Sequence, residues 1–259
     1  MSAVLPQPTL HHGITGRGPL LVLLHPIGLE GSWWQPYVSE LSERFTVITP
    51  DLAGHGRSPL RSDSLELEDH AQAVARLICE HGGRAHVAGA SMGGMVAQVL
   101  TLQEPWAVES LSLISTMATV PDAARAAVAQ RGQLAIDQGM AACIDPTVER
   151  WVLPGEVAST FANLCRVQLA RIVPRSWRAN WMAISHLHTL DSLSTLRCPV
   201  FVCTGERDVS TTPEMSRAMA TAIGNPELHL VPGAAHMGVF EHVNLFLPPL
   251  QAFLHARLR

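Results

Sequence analysis

The feature that most constrains the fold is the stretch Gly-Ala-Ser-Met-Gly at residues 89–93. An apolar run precedes it, and a helix-permissive segment follows it. A serine on a sharp turn from strand to helix exposes its hydroxyl, and such a turn needs residues with little or no side chain around it. Because Gly89 and Gly93 let backbone segments pass closely, the pattern predicts a nucleophile elbow at Ser91. The alternative is an ordinary glycine-rich turn capped by a serine.

Six short apolar runs are the candidate strands of the chain. They span residues 20–24, 45–49, 85–89, 111–115, 200–204 and 228–231. The runs are continuously apolar rather than alternating, which is typical of strands buried on both faces of a parallel sheet. Helix-prone stretches separate them, at residues 33–42, 71–81, 92–103, 213–222 and 243–257. We therefore predict an α/β fold whose mostly parallel, doubly wound sheet has right-handed crossovers.

One long interval, between residues 115 and 200, contains no good strand. Its helix-prone stretches are residues 121–140, 161–172 and 177–186, and the prolines that punctuate it are Pro146, Pro154 and Pro174. Because a structureless loop of that length is improbable in a compact domain, we predict a helical cap, residues 117–193. The core would then comprise residues 1–116 and 194–259. Ligands bind at the carboxyl edge of such sheets, so the cap would cover the site.

Two further polar residues follow predicted strands directly. Asp208 comes after the fifth apolar run, and His236 comes after the sixth. A serine hydroxyl needs a neighbouring base, and the base needs an acceptor that orients it, so the chain order Ser91, Asp208, His236 predicts a catalytic triad. Each has rivals nearby: the alternative acid is Glu206, and the alternative histidines are His229 and His242.

An oxyanion hole needs two backbone N–H groups aimed at the oxygen that becomes negative. One is expected from Met92, the residue after the serine. The other is expected from the loop that such sites have after their third strand; here we take this to be the loop after the apolar run at residues 20–24, which reads His-Pro-Ile-Gly-Leu at residues 25–29. Pro26 has no N–H, so Ile27 is the expected donor. His25 stands at a strand end before a tight turn and is interpreted as structural.

Together these segments resemble the α/β-hydrolase superfamily. The matching motifs are residues 89–94, 25–28, 51–58, 205–208 and 233–236. Within the superfamily the chain looks most like the 3-oxoadipate enol-lactonase group and its carboxylesterase relatives, although His25-Pro26 stands where that family usually has His-Gly. The resemblance implies an α/β-hydrolase fold with the helical cap inserted after the sixth strand, a nucleophilic Ser91, and an oxyanion hole formed by Ile27 and Met92.

The function implied is hydrolysis of a small carboxylic ester or lactone through an acyl-enzyme on Ser91, with no cofactor and no metal. Three alternatives stay open. The same fold supports carbon–carbon bond hydrolases and cofactor-free haloperoxidases or perhydrolases, since the triad alone does not select the substrate. The lower-ranked alternative is a ligand-binding protein without catalysis.

Substrate contacts are expected from aromatic and cationic residues near the site. The candidates are Trp33, Trp34, Arg150, Trp151 and Trp181. For the tryptophans, packing in the core is at least as plausible a role. A carboxylated lactone would need a cationic partner, and the arginines of the cap segment that could serve are Arg150, Arg171, Arg175 and Arg178.

Composition excludes several other classes. The net charge of −4 and the absence of a Lys/Arg run argue against a nucleic-acid partner. The sequence contains no apolar run of about 18 residues, so we expect no membrane span. The five cysteines form no C-x-x-C pair and residues 1–10 do not resemble a signal peptide, so we expect a cytoplasmic protein with free thiols. His11-His12 and His186-x-His188 lack further ligands, so no metal site is predicted. The sequence leaves the oligomeric state open.

Overall fold

The structure is a computed structural model that describes residues 10–224 and 226–258. Residues 1–9, where the sequence predicts no signal peptide, lie outside the described residues. Seven strands form one sheet. They are β1 (His12–Thr15), β2 (Leu20–Leu24), β3 (Thr46–Pro50), β4 (Ala85–Ala90), β5 (Val108–Ile114), β6 (Val200–Gly205) and β7 (Glu227–Val231).

The strand order across the sheet is β1-β3-β2-β4-β5-β6-β7. β1 pairs with β3 in the antiparallel sense, and every other neighbouring pair is parallel. The order runs outward in both directions from β2 and β4, so the crossovers lie on both faces and the sheet is doubly wound. The predicted α/β-hydrolase fold, with its mostly parallel sheet, is confirmed.

Ten α-helices surround this sheet in the described part of the chain. They are α1 (Gln35–Leu41), α2 (Leu67–Glu80), α3 (Met92–Gln103), α4 (Asp122–Gln138), α5 (Ala141–Trp151), α6 (Thr160–Leu169), α7 (Pro174–Ser185), α8 (Pro213–Ile223), α9 (Gly238–Glu241) and α10 (Val243–His255). The helix α3 that follows the elbow is apolar on all sides and almost wholly buried, which is typical of a helix enclosed by other elements.

Burial differs between the middle of the sheet and its edges. β2 and β4 are buried along their whole length, as their continuously apolar sequences predict. β7 was expected to be buried on both faces, but it is an edge strand and only Val231 is buried. β1 was not predicted, because this short edge strand is exposed and carries no apolar run.

The four helices α4–α7 lie between β5 and β6, and we call them the cap. The resemblance implied an insertion after the sixth strand, but in the described residues the cap follows the fifth strand, β5. Pro146 was expected to separate helices but lies inside α5. α4 packs closely on α7 at Gly132, which has no side chain. A Cβ added there would lie 2.8 Å from the Cα atom of Arg178. No helix in the described ranges is long and apolar enough to cross a membrane.

Candidate active site

Ser91 stands at the sharp turn between β4 and α3. Its backbone has φ 51° and ψ −118°, a conformation that costs free energy for any residue with a side chain. The turn is tight on both sides: a Cβ at Gly93 would collide with the carbonyl oxygen of Leu24, and one at Gly89 would collide with that of Gly93. Glycine is therefore required at both positions, and the predicted elbow geometry is present.

The three residues of the predicted triad meet at the carboxyl ends of their strands. His236 Nε2 lies 3.1 Å from Ser91 Oγ, and His236 Nδ1 lies 2.8 Å from Asp208 Oδ2. A carboxylate only accepts hydrogen bonds, so Nδ1 carries the proton and Nε2 is left to accept from the serine hydroxyl. All three side chains are nearly enclosed, with residue exposures of 7% for Ser91, 2% for Asp208 and 3% for His236.

Asp208 is held on both carboxylate oxygens. The backbone N–H groups of Ser210 and Thr211 each donate to Oδ1 at 2.8 Å, and the Thr211 hydroxyl donates to Oδ2 at 2.9 Å. Burial on its own would raise the pKa of Asp208, but the charge and hydrogen bond of His236 and the bonds from Thr211 outweigh it, so the pKa is lowered. The carboxylate therefore stays ionised beside the imidazole.

Thr211 is a site residue that the sequence reasoning missed. An acid followed by hydroxyl residues just before a helix-starting proline is the available signal, because such residues bond back to the turn that precedes the helix. The rival triad members lie elsewhere: Glu206 and His229 are exposed, and His242 is half-buried beside Glu241.

Two buried histidines fix the loop that carries Ile27. His55 Nε2 accepts a hydrogen bond from the Gly28 N–H at 3.0 Å. His25 donates through Nδ1 to the Pro26 carbonyl at 2.7 Å and accepts through Nε2 from the Leu52 N–H. Burial lowers the pKa of both imidazoles, so both stay neutral and able to accept. His25 is thus part of the scaffold, in agreement with its structural interpretation.

This arrangement leaves the two expected oxyanion donors unused. The Gly28 N–H is committed to His55, whereas the N–H groups of Ile27 and Met92 have no hydrogen-bond acceptor among residues 10–224 and 226–258. Met92 is the first residue of α3, where the helix leaves its N–H groups without intrahelical partners. Met92 follows Ser91 directly in the chain, and Ile27 lines the same cavity as Ser91.

A cavity of about 130 Å³ opens beside Ser91 and His236. It is mostly apolar, and the cap supplies much of its wall. Of the predicted contact residues, the structure brings three to this wall, namely Arg150, Trp151 and Trp181. The other lining residues include Ile27, Met95, Met117, Arg131, Leu134, Cys143, Trp177 and Ile184.

The structure does not bring Trp33 and Trp34 to this cavity, contrary to expectation. Trp34 is fully buried in the core. The centre of its ring lies 4.9 Å from the ring centre of Phe240 and 5.0 Å from that of Tyr37. Trp33 packs edge-on against Phe161 and Phe240. After the oxyanion loop the chain turns away into α1, so both rings join the hydrophobic core instead of the substrate wall.

The cap arginines also separate into two groups. Arg150 lines the cavity, together with Arg131, which the sequence reasoning missed. Arg175 pairs with Asp63 on the surface, Arg178 donates to Gln133 at 3.0 Å, and Arg171 lies in a groove outside the cavity. Arg131 is on the alanine-rich α4, whose weakly amphipathic sequence gives no sign of which side faces the site.

Comparison with known proteins adds to this geometry. A model of the alpha/beta hydrolase family matches residues 21–246. The (E)-2-((N-methylformamido)methylene)succinate hydrolase of Acinetobacter baylyi is 27% identical over 93% of this chain and 90% of its own. A pimeloyl-(acyl-carrier protein) methyl ester esterase of Chromobacterium violaceum is 29% identical over 93% of this chain and 96% of its own. The crystal structure of the enol-lactonase from Burkholderia xenovorans LB400 has a TM-score of 0.89 and 25% identity, covering 95% of this chain and 96% of that one.

Proposed function

The chain belongs to the alpha/beta hydrolase family, and from that premise we propose that it is a serine hydrolase that cleaves a small carboxylic ester or lactone. The observation that carries the proposal is the hydrogen-bonded path from Ser91 through His236 to Asp208 beside an apolar cavity. The names of its relatives support this choice, since they include a methyl ester esterase and an enol-lactonase.

In the first half of the reaction, Ser91 Oγ attacks the carbonyl carbon while His236 Nε2 removes the hydroxyl proton. The carbonyl oxygen becomes negative and receives hydrogen bonds from the N–H groups of Ile27 and Met92. Asp208 stabilises the positively charged imidazole. The tetrahedral intermediate then collapses, His236 returns its proton to the leaving oxygen, and an acyl-enzyme on Ser91 remains.

In the second half, water replaces the leaving alcohol. His236 Nε2 takes a proton from water as the water oxygen attacks the acyl carbon, and the same two N–H groups bind the second oxyanion. Collapse returns the proton to Ser91 Oγ and releases the carboxylic acid. In a lactone the leaving alcohol stays attached to the acyl group, so the product is a single hydroxy acid. The chain itself supplies every group that these steps use, so we propose a reaction without metal or cofactor.

A hydrolysis screen of 4-nitrophenyl esters, lactones and thioesters tests this function, with the Ser91→Ala variant as its control. We expect turnover by the wild-type protein and a fall in kcat of about 10⁴-fold or more in the variant, because the nucleophile is lost. Circular dichroism verifies that the variant is folded. Undiminished turnover by folded Ser91→Ala protein would contradict the proposal.

The alternatives predict different results when a vinylogous diketone and hydrogen peroxide are added to the screen. A carbon–carbon bond hydrolase would cleave a vinylogous diketone in preference to every ester, and a perhydrolase would need hydrogen peroxide as co-substrate. A binding protein without catalysis would turn over none of the substrates, and its Ser91 would not react with a fluorophosphonate.

A further inference from the structure

Two arginines from different cap helices line the catalytic cavity. Arg131 lies on α4 and Arg150 lies on α5, and no acidic side chain is among the residues that line this cavity in the described part of the chain. An otherwise apolar wall that presents two cations and no anion has a strong preference for a negatively charged ligand group. The apolar remainder of the wall suits a hydrocarbon chain.

Carboxylate pairing differs among the arginines of the cap. Other cap arginines have carboxylate partners: Arg166 pairs with Asp145 at 2.8 Å, and Arg125 pairs with Asp122 at 3.0 Å. In residues 10–224 and 226–258, Arg131 and Arg150 have no carboxylate within 4.0 Å. Arg171 and Arg178 also have no carboxylate partner in the described ranges, but neither lines the cavity, so Arg131 and Arg150 are the unpaired arginines at this site.

Arg131 is held in place on both its backbone and its side chain. Its guanidinium carbon lies 5.0 Å from the ring centre of Trp181, a cation–π contact on the cavity wall. Its carbonyl accepts a hydrogen bond from Trp177 Nε1 at 3.1 Å. Arg131 is partly exposed, but its partial burial lowers the pKa of the guanidinium, and the positive charge of Arg150 lowers it further. A bound anion would relieve that repulsion.

Arg150 is tied to the loops of the triad. Its carbonyl accepts from the Ser210 hydroxyl at 3.1 Å, and Ser210 also donates to Asp208 through its backbone. The next carbonyl, that of Trp151, accepts from the N–H of Met237 at 2.9 Å, directly beside His236. These two bonds fix the backbone at the end of α5 relative to the triad, so the Arg150 side chain extends from a fixed point beside the site.

We propose that Arg131 and Arg150 form an anion subsite that binds a carboxylate of the substrate at a distance from the bond that is cleaved. This inference deepens the proposed hydrolase function and rests on it. The planar guanidinium fork matches a carboxylate with two parallel hydrogen bonds, which fixes orientation as well as adding affinity. The substrate class is thus a carboxylic ester or lactone that also carries a free carboxylate.

Matched substrates test the subsite. 4-Nitrophenyl hydrogen adipate carries the carboxylate on its acyl chain, and 4-nitrophenyl methyl adipate is its neutral counterpart. A second pair, 4-acetoxybenzoate and its methyl ester, places the carboxylate on the leaving group. We expect the wild-type protein to prefer the anionic member of at least one pair in kcat/KM, and the pair that shows the preference identifies the side of the substrate that reaches the arginines.

Substitution then assigns the preference. Arg131→Met and Arg150→Met should each lower kcat/KM for the preferred anion by about tenfold, because a hydrogen bond to a charged group is lost. The neutral ester should change by less than about threefold, since the triad is untouched. Arg171→Met is the matched control, because this exposed cap arginine lies outside the cavity, and it should leave the preference as it is.

The outcomes separate this inference from the proposed function. Turnover of the neutral ester with no preference for either anion, or a preference that survives both substitutions, overturns the subsite while the hydrolase stands. If no ester is turned over, tryptophan fluorescence of the Ser91→Ala variant still measures binding of monomethyl adipate, since several tryptophans line the cavity. Binding that is about tenfold weaker in the two arginine variants supports the subsite, and equal binding overturns it.

Discussion

The core and the cap build the site in different ways. In the core, the loops that follow β4, β6 and β7 carry Ser91, Asp208 and His236. Close backbone contact leaves these loops little freedom: a Cβ at Gly205, for example, would collide with the carbonyl oxygen of Ala234. In the cap, the wall of the cavity comes from helix faces, and the packing of one helix on another decides which residue faces inward.

The difference teaches which part of the molecule carries which property. In the proposed mechanism, the core supplies the nucleophile, the base and the two N–H donors, which would serve acyl transfer on many substrates. The cap places aromatic rings and two arginines around the same space, and these would select among substrates. Changes in the core should therefore affect all substrates alike, and changes in the cap should affect some substrates more than others.

The largest effect should come from the acid of the triad. Asp208→Asn should lower kcat by about 10⁴-fold on every substrate, because the amide stabilises the wrong tautomer of His236 and no longer balances its positive charge. The matched control is Glu206→Gln, since this acid is two residues away but exposed. Steady-state kinetics on a neutral and an anionic ester provide the measurement. An effect confined to one substrate would contradict the claim that changes in the core affect all substrates alike.

The next effect concerns the elbow. Gly93→Ala should lower the free energy of unfolding by about 3 kcal/mol, because the new methyl group collides with the Leu24 carbonyl in a backbone that cannot retreat. At Gly155 in the cap, nothing lies within 4 Å of the added methyl, so Gly155→Ala should change stability by less than about 0.5 kcal/mol. Urea denaturation of both variants measures the difference, and equal stabilities would contradict this account of the turn.

A pH effect should report where the core meets the cap. His70 of α2 bonds Asn180 of α7 at 2.9 Å, and burial lowers the pKa of His70 from 6.5 to about 4. As the pH falls, His70 is protonated in the unfolded chain before it is protonated in the folded protein. The free energy of unfolding is therefore highest above about pH 6.5, and protonation of His70 lowers it by about 3 kcal/mol as the pH drops to 4. Urea denaturation across this range should show a shallower decline for His70→Gln.

The matched control for this pH effect is His229→Gln, since His229 is exposed on β7. Its pH dependence should follow that of the wild-type protein. If His70→Gln and wild-type protein lose stability with the same slope, the buried histidine does not connect core and cap in the way described.

The smallest effect distinguishes Trp181 from Trp34, both of which the sequence predicted as substrate contacts. Trp181→Phe should raise KM by about threefold, because this ring lines the cavity and supports Arg131. Trp34→Phe should leave KM unchanged and lower stability by about 1–2 kcal/mol, because that ring is fully buried in the core. Kinetics and thermal denaturation of both variants decide between these roles. A change in KM for Trp34→Phe would contradict its assignment to the core and indicate that Trp34 contacts the substrate.

The predictability of the molecule from its sequence follows the same division. Ser91, Asp208 and His236 each directly follow a predicted strand, and parallel strands bring their carboxyl ends to one edge, so their meeting point could be inferred without coordinates. Ile27 could be predicted as an oxyanion donor by elimination, because the preceding residue, Pro26, has no N–H. The strand β1 could not be found, since its pairing with β3 depends on backbone bonds that leave no apolar pattern.

The cap was predictable as a set of helices but not as a surface. Pro146 was expected to separate helices, yet α5 runs through it. Arg131 gave no signal, because its orientation depends on the close packing of α4 against α7 at Gly132. Trp33 and Trp34 follow the oxyanion loop in sequence, and the turn into α1 directs them away from the cavity. The errors at Arg131 and the two tryptophans share one cause, since tertiary packing sets the direction in which each of these side chains points.

The most direct measurement of the central claim is covalent labelling of the folded protein with a fluorophosphonate, followed by peptide mass spectrometry. We predict one label per chain, located on Ser91, because its hydroxyl lies 3.1 Å from the base His236 Nε2 and beside the proposed oxyanion donors. Labelling should disappear in Ser91→Ala and slow strongly in His236→Ala. Folded wild-type protein that stays unlabelled, or that carries its label at another residue, would contradict the assignment of Ser91 as the nucleophile.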